Sequence, residues 1–255
     1  MILACDTSGN SCSACLFEDG KIKAESFLSV GLTHSQTFTP LVEEMRKNTG
    51  VDYDEIDVFA CAVGPGSFTG IRIGVSAVKT MALLCEKPAV PVSSLEALAY
   101  PFLDMKDVMV VPLIDAKNRR VFSCGYLNGN EVIPESAGSV EELWASFSEI
   151  ANNRQTNCMT VLLCGNAASL YAGEVEKLGF KVQTADENKR EIRSGSVAAI
   201  ANARIKELNP EQMLERYSPA ALSPAYLAKT AAENSLKSVA FQTLEVSPFG
   251  DGAAK

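Results

Sequence analysis

The sequence predicts an α/β fold made of two ribonuclease-H-like lobes, and two observations carry this prediction. A pattern of three strands, a helix and a further strand begins at residue 2 and begins again at residue 108. The two stretches match at a constant offset of 109 residues, which places Asp6 on Asp115 and Gly20 on Gly129. A repeat of this kind indicates a structural duplication. We expect lobes over residues 1–106 and 107–228, and a tail over 229–255 for which packing on the first lobe is left open.

The first lobe is expected to alternate strands and helices. Its strands are expected at Ile2–Asp6, Ser11–Phe17, Lys21–Leu28, Ile56–Val63 and Pro88–Val92. A candidate capping box at Thr33–Gln36 precedes apolar residues at helical spacing, and Gly50 would end that helix. Pro40 leaves two starts open, Thr33 with a kink or Pro40 with Thr39 as the cap. Further helices are expected from Gly70 to Cys85 and, capped by Ser93 or Ser94, to about Leu103.

The second lobe repeats the opening of the first. Its strands are expected at Val108–Asp115, Val121–Leu127, Glu131–Ile133 and Met159–Cys164. Ser139 and Glu142 have the spacing of a second capping box. Helices are then expected over Ala167–Leu178, closed by Gly179, and over Ser196–Leu208.

Composition and charge exclude several classes of protein. Hydrophobic residues make up 47% of the 255 and charged residues 21%, which suits a globular chain with a sizeable core. The 31 acidic and 23 basic residues give a net charge of −8, which disfavours a broad nucleic-acid-binding face. The charge-free stretch Val58–Ile71 is broken by glycines and a proline, so a membrane span is not expected. The basic residues and the cleavage site of a secretory signal are not found at the start of the sequence, so such a signal is not expected.

Eight cysteines and a single histidine limit the available chemistry. Most cysteines lie in apolar runs, which indicates buried free thiols in a reducing compartment. Cys12 and Cys15 form a C-x-x-C pair, but residues three apart in a strand point to opposite faces, so these thiols would not converge. His34 is expected in the first turn of a helix, and a two-histidine metal site within one chain is excluded.

The string Gly64–Gly74 is the most informative part of the sequence. Its glycines allow tight turns, and free amides at the following helix start could hold an anion. The string matches neither the dinucleotide fingerprint nor the phosphate loop of P-loop proteins. An anion-binding loop and a purely structural strand-to-helix turn therefore both stay open.

The helix after this string has two faces without charge. Residues Ile71, Val75, Val78, Ala82 and Cys85 form an apolar face, and Gly70, Gly74, Ala77 and Met81 form a face of mostly small residues. Small residues allow another helix to approach closely, and a surface helix normally shows water a polar face. The second face is therefore either covered by the helix that carries Phe38 to Met45 or available to a partner protein.

These motifs together resemble the TsaB (YeaZ) family of bacterial tRNA threonylcarbamoyladenosine biosynthesis proteins. The resemblance covers residues 1–228 and rests on Asp6–Ser8, the Thr33–Met45 helix with His34 and Ser35, Gly64–Gly74, Asp115–Arg120 and Pro224–Leu227. The Pro-x-Tyr-Leu motif usually continues with an arginine, whereas Ala228 and Lys229 follow here.

The resemblance implies an actin/hexokinase-type fold and a non-catalytic subunit. It implies that the chain holds TsaD, the catalytic threonylcarbamoyl transferase, and the small ATPase TsaE, dimerises when alone, meets tRNA only through the complex and is cytoplasmic. TsaD binds a metal through paired histidines, and only His34 is present here. The implied partner and dimer surface comprises Phe38, Leu41, Val42, Met45, Gly70, Arg72, Gly74, Val75, Ala77, Val78 and Met81. Val78→Asp or Met45→Asp is then expected to abolish co-elution with TsaD without changing the circular dichroism spectrum.

A nucleotide site is the second expectation that the resemblance brings. The candidate nucleotide or anion residues are Asp6, Ser8, Gly66, Ser67 and Asp115. In an actin-type ATPase each lobe carries an aspartate followed by glycine, whereas bulky residues follow Asp115. No cofactor or metal is expected on the chain by itself, and ATP, ADP or magnesium would bind within the complex. The alternative is an autonomous ATP-dependent small-molecule kinase or ATPase of the same fold.

Overall fold

The computed structural model describes residues 1–31, 33–154 and 160–227, without the side chains of residues 150–154. Within these ranges the strands are β1 (Ile2–Asp6), β2 (Cys12–Glu18), β3 (Lys21–Leu28), β4 (Val58–Ala62), β5 (Ala89–Val92), β6 (Val108–Asp115), β7 (Arg120–Leu127), β8 (Asn130–Ser139), β9 (Thr160–Cys164) and β10 (Lys181–Thr184). The α-helices are α1 (His34–Thr49), α2 (Phe68–Leu84), α3 (Ser94–Ala99), α4 (Val140–Arg154), α5 (Ala168–Lys177), α6 (Ser194–Ile205) and α7 (Pro210–Arg216). None of these helices is long and apolar enough to cross a membrane.

Two five-stranded sheets with the same topology confirm the duplicated α/β fold. Their strand orders are β3-β2-β1-β4-β5 and β8-β7-β6-β9-β10, so the second repeats the first strand for strand. In each sheet the first three strands are antiparallel, and the last two join the sheet in parallel. This mixed order is that of two ribonuclease-H-like lobes in tandem, the arrangement of the actin/hexokinase architecture.

The central strands of each sheet are buried on both faces, because helices cover both sides. In β1, Leu3 and Cys5 face a core closed by α1 and α2, while Ala4 faces the core between the two sheets. Cys12 and Cys15 likewise belong to different cores, as expected for residues three apart in a strand. Burial raises the pKa of these two thiols to about 11 and about 12, so neither forms a reactive thiolate readily.

One helix that follows each sheet packs on the sheet of the other lobe. Helix α3 packs on β6 and β7 of the second sheet, and α6 packs on β1, β2 and β4 of the first. The first amides of α6 are satisfied by the first lobe: Ser194 donates to Ser13 Oγ at 3.1 Å and Gly195 to Glu25 Oε1 at 2.9 Å. Helix α6, which lies within the predicted second lobe of 107–228, therefore packs on the sheet of the first lobe.

Local details correct several sequence predictions. The N-cap of α1 is Thr33, but its side chain makes no capping hydrogen bond, and the helix runs through Pro40. The second capping box does form, because Glu142 N–H donates to Ser139 Oγ and Ser139 N–H donates to the Glu142 carboxylate. Strand β8 extends well beyond Ile133, and α6 begins two residues before Ser196.

Other differences concern residues near the ends of elements. Helix α3 stops at Ala99 and a 3-10 turn carries the chain to Phe102. Strand β10 and helix α7 had no sequence prediction. The predicted start of β9 at Met159, Cys158 and the tail over 229–255 lie outside the described residues.

Candidate functional site: an interlobe cleft and a groove between two helices

A buried carboxylate marks the end of the first strand. The Oδ1 atom of Asp6 accepts hydrogen bonds from the Ser8 backbone N–H at 3.0 Å and the Ser8 hydroxyl at 2.6 Å. Its Oδ2 atom has no hydrogen-bond partner among the described residues. Burial disfavours the charged form and raises the pKa of Asp6 to about 6, against the lowering effect of the two Ser8 bonds.

Two further titratable side chains, Glu191 and His34, lie near Asp6. Burial raises the pKa of Glu191, whose carboxylate accepts a hydrogen bond from the Ser11 hydroxyl at 3.1 Å. The Nε2 atom of His34 lies 2.9 Å from the Gly9 carbonyl oxygen, so that nitrogen carries the proton and donates. His34 thus anchors the start of α1 to the loop between β1 and β2.

The glycine-rich loop before α2 packs on the loop between β1 and β2, and its Ser67 amide donates a hydrogen bond to that loop. Ser67 N–H donates to the Ser8 carbonyl at 2.7 Å, and Ser67 Oγ caps α2 by accepting from Gly70 N–H at 3.2 Å. A Cβ atom on Gly66, whose φ is 155°, would lie 2.3 Å from the Ser8 carbonyl oxygen. These contacts occupy the amides of Ser67 and Gly70 within the chain, as in a structural strand-to-helix turn.

Asp115 ends β6 in the second lobe, and its environment is the opposite of that of Asp6. Lys117 approaches its carboxylate with both the ammonium group, at 2.6 Å, and the backbone N–H, at 2.8 Å, which lowers the pKa of Asp115. Arg119 binds the carboxylates of Glu141 and Glu174. Lys117 and Arg119 are therefore both engaged by carboxylates of the second lobe, Lys117 within the hairpin and Arg119 on α4 and α5.

The cleft between the lobes is closed around a cavity of only about 20 Å³. It is lined by Ser8, Gly9, Leu98, Ile114, Asn166, Arg190, Glu191 and Ile192. Sites for nucleotide-sized ligands enclose roughly 300–1,000 Å³, so the closed cleft does not admit one. The structure brings Asp6, Ser8, Gly66 and Ser67 to one corner of the cleft. Asp115 stands on the facing lobe, where its N–H donates to the Asn166 side chain at 2.9 Å.

Titration of Asp6 is expected to make stability depend on pH. Its pKa is about 6 in the folded chain against 3.8 for the ordinary carboxyl, so the fold prefers the neutral acid. Stability is lost as pH rises from about 4 through 6, by on the order of 3 kcal/mol in total. We expect Asp6→Asn to gain stability relative to the parent at pH 7.5 but not at pH 4, measured by urea unfolding.

Asp115→Asn is the control for this experiment. Its pKa is lowered in the folded chain, so ionised Asp115 stabilises the fold above the unfolded pKa and that contribution is lost as pH falls. The amide should therefore bring no relative gain at pH 7.5. A parent and Asp6→Asn pair with parallel pH profiles would contradict a buried, reluctantly ionised Asp6.

A surface groove runs between α1 and α2 and has a volume of about 490 Å³. Phe38 and Val42 form its buried floor, and Ile73, Ala77 and Met81 line the α2 side with half-buried side chains. Its remaining lining residues are uncharged: Ser35, Thr39, Tyr53, Ser76 and Thr80. We call this surface the α1–α2 groove. It is apolar, and none of its lining side chains is charged.

The predicted interface residues divide between this groove and the core. Eight are buried in the first lobe: Phe38, Leu41, Val42, Met45, Gly70, Gly74, Val75 and Val78. Phe38 and Val42 reach the groove as its floor, while Ala77 and Met81 line its wall and Arg72 is exposed beside Tyr226.

The two glycines on the small-residue face of α2 pack against the loop between β1 and β2 rather than against another helix. A Cβ on Gly70 would lie 2.1 Å from the Thr7 carbonyl oxygen, and one on Gly74 would lie 2.3 Å from the Thr7 hydroxyl. Thr7 also donates its hydroxyl proton to the Gly70 carbonyl at 2.7 Å. The sequence prediction missed Ile73 and Thr80 of the groove, although the four-residue spacing of Ile73 and Ala77 was a signal for a shared face.

Comparisons with known proteins agree on one family. Residues 30–236 match the family model described as TsaD, tRNA N6-adenosine threonylcarbamoyltransferase. The tRNA threonylcarbamoyladenosine biosynthesis protein TsaB of Bacillus subtilis is 28% identical over 193 residues, 74% of this chain and 82% of that protein. TsaB of Haemophilus influenzae is 33% identical over 122 residues, 48% of this chain and 51% of that protein. The match thus spans about half the length of the second relative.

A solved structure shows the same fold. A Pseudomonas aeruginosa protein, described as uncharacterized with similarity to peptidase YeaZ, superimposes with a TM-score of 0.68 at 22% identity. The superposition covers 89% of this chain and 99% of that one. Because the family model spans most of the chain, the chain belongs to the TsaD family, and within it the chain is similar in sequence and fold to the TsaB (YeaZ) proteins.

Proposed function

We propose that the chain is a non-catalytic subunit in the biosynthesis of tRNA threonylcarbamoyladenosine, one that scaffolds a TsaD-type catalytic partner and the ATPase TsaE. The family match and the names of the TsaB relatives support the pathway. The single observation that carries the scaffolding role is the uncharged α1–α2 groove.

The groove has the properties of a protein contact. Its apolar floor is fully desolvated once a partner side chain fills it, and its rim carries hydroxyl groups on Ser35, Thr39 and Thr80. Interface centres are depleted in charge and surrounded by a polar rim. The small Ala77 lies on the wall, where a partner side chain can approach closely. The same surface would hold a second copy of this chain when the partner is missing.

Two features support a role without catalysis by this subunit alone. The interlobe cavity of about 20 Å³ leaves no room for a nucleotide in this closed form. His34 is the chain's one histidine and donates to the Gly9 carbonyl, so the chain cannot supply the paired histidines of a TsaD-type metal site. ATP, ADP or magnesium would then act within the complex, and the net charge of −8 leaves contacts with tRNA to the partners.

We expect Ala77→Glu to weaken binding to the TsaD-type partner about 100-fold, or about 3 kcal/mol, because it places an unpaired carboxylate in the apolar contact. Co-elution on a sizing column and titration calorimetry would measure the loss, with TsaE added in a second series. Ala203→Glu is the matched control, since Ala203 is an exposed helix residue on α6. Wild-type affinity in Ala77→Glu would remove the groove as the docking surface.

The alternative is an autonomous ATPase or small-molecule kinase. The observation in its favour is the Oδ2 atom of buried Asp6, which has no hydrogen-bond partner in the part of the chain that the structure describes. That activity requires the lobes to open, because the closed cleft does not admit ATP. Turnover of ATP by the purified chain, stopped by Asp6→Asn, would establish it. A rate at background level in both proteins would leave the scaffold as the function.

A further inference from the structure

A second large groove opens at the amino ends of strands β1 and β4, beside helix α7. It has a volume of about 910 Å³ and shares no lining residue with the α1–α2 groove. Its floor is apolar, because the buried side chains of Ile2, Phe17 and Val58 reach it from the core between the two sheets. Leu214 of α7 also lines it and is 42% exposed. We call this surface the α7 groove.

The rim of the α7 groove is acidic. Five of its lining side chains are carboxylates: Glu18, Asp19, Asp57, Glu86 and Glu211. Asp57 pairs with the Met1 amine and with Lys87. Glu18 pairs with Lys23. Within the described ranges, none of the other three carboxylates takes part in an ion pair, so a cation brought to this rim would find them uncompensated.

The three uncompensated carboxylates belong to three separate elements. Asp19 lies in the turn between β2 and β3, Glu86 in the loop between α2 and β5, and Glu211 in the first turn of α7. No set of three side chains that could hold a metal ion is found among the described residues, so these acids do not form a chelate. All three are exposed, whereas the apolar floor is buried. An apolar centre within a polar rim is typical of a protein contact, whereas small-molecule sites have polar groups that converge on the ligand.

Charge limits what can cover the α7 groove. Covering the rim removes water from its carboxylates, which is costly unless the covering surface supplies cations. A second copy of this chain carries a net charge of −8 and would bring like charge to the rim. An anionic lipid surface is repelled for the same reason. A protein segment with apolar side chains at its centre and lysine or arginine at its edges satisfies both the floor and the rim.

We propose that the α7 groove binds a cationic amphipathic segment of a partner protein. Apolar side chains of that segment cover Leu214 and the floor, and its cations pair with the three uncompensated carboxylates. Charge pairs at the rim of an interface accelerate association and select the partner, and salt screens them, so binding weakens as the salt concentration rises. The proposal goes beyond the proposed function, because the α7 groove and the α1–α2 groove are separate surfaces.

Peptide binding to the full chain tests the proposal. The probe is a short helix-forming peptide of leucine and lysine with its leucines on one face, and fluorescence anisotropy measures its affinity. One comparison peptide has glutamate in place of lysine, and the other has serine in place of leucine. We expect the leucine–lysine peptide to bind at least about tenfold more tightly than either comparison peptide. Equal affinity for the leucine–lysine and serine–lysine peptides would overturn the proposal.

Neutralising the three uncompensated carboxylates tests the rim. The triple variant Asp19→Asn, Glu86→Gln and Glu211→Gln keeps the size of each side chain and raises the net charge from −8 to −5. We expect it to weaken binding of the leucine–lysine peptide about tenfold at low salt and to reduce the dependence of binding on salt.

A second triple variant is the matched control for overall charge. Asp104→Asn, Glu176→Gln and Glu187→Gln neutralise three exposed carboxylates outside the α7 groove and give the same net charge of −5. This variant should change the affinity less than about twofold. Equal losses in the two triple variants would show that the total charge of the chain attracts the peptide, and would overturn the proposal.

The apolar part of the contact has its own test. We expect Leu214→Gln to weaken binding severalfold without changing its dependence on salt, because it removes apolar surface and no charge. Leu170→Gln on α5, where Leu170 is 63% exposed, is the control and should bind as the parent does. Ala77→Glu, which changes the α1–α2 groove, should also leave peptide binding unchanged. Parent-like binding in Leu214→Gln would overturn the proposal. Self-association that the triple variant of the rim abolishes and Ala77→Glu retains would identify a second copy as the occupant and overturn it as well.

Discussion

Replacing Val78 by aspartate is expected to unfold the first lobe. The Val78 side chain is 0% exposed in the core closed by α1, α2 and the first sheet. A carboxylate there has no partner, so it either stays charged in an apolar site or takes up a proton, and both outcomes cost at least about 4 kcal/mol. We expect loss of the native circular dichroism spectrum and, as a consequence, loss of partner binding.

This expectation corrects the earlier one that Val78→Asp or Met45→Asp would leave the spectrum native. Met45 is also buried in the same core, at 2% exposed. Val30→Asp is the matched control, since Val30 is 60% exposed and its replacement should change stability by less than about 0.5 kcal/mol. A native spectrum and unchanged melting temperature in Val78→Asp would show that this face of α2 is not packed as described.

Gly70→Ala is expected to destabilise the chain by about 3 kcal/mol, although alanine favours helices. The new Cβ would lie 2.1 Å from the Thr7 carbonyl oxygen, which is backbone and cannot rotate away. Relief would move α2 off the β1–β2 loop and stretch the Thr7 hydroxyl bond to the Gly70 carbonyl. Urea and thermal unfolding of the full chain would measure the effect.

Gly173→Ala is the control, and its expected effect on stability has the opposite sign. Gly173 lies inside α5, and nothing stands within 4 Å of the position of its Cβ. Alanine there should stabilise the chain by up to about 1 kcal/mol. If Gly70→Ala were as stable as Gly173→Ala, the close contact between α2 and Thr7 would be wrong.

Local pattern explains the parts of the fold that the sequence predicted well. Strand β1 and its copy β6 are continuous apolar runs that end in an aspartate, and the turns at Gly20 and Gly129 recur at one spacing. Such signals depend on neighbours in the chain, so the positions of these strands followed from them. The separation of Cys12 and Cys15 into two cores followed from the period of two in a strand.

The candidate sites were predicted only in part, because burial depends on which element covers a face. The sequence showed that α2 has two uncharged faces, but the small-residue face is closed by Thr7, a residue 63 positions before Gly70. The position of α6 was equally hidden, since Ser13 and Glu25 of the first lobe satisfy its first amides. Neither contact can be recognised from the pattern of apolar and polar residues next to it in the sequence.

The sequence by itself determined the duplicated α/β architecture, the single histidine and the apolar character of α2. Only the tertiary structure decided that the carboxyl groups of Asp6 and Asp115 have opposite environments, that the interlobe cleft is nearly filled, and that the α1–α2 groove stays open. The physical reason is that periodicity reports which side chains avoid water, whereas the identity of the group that covers them is set by contacts between distant parts of the chain.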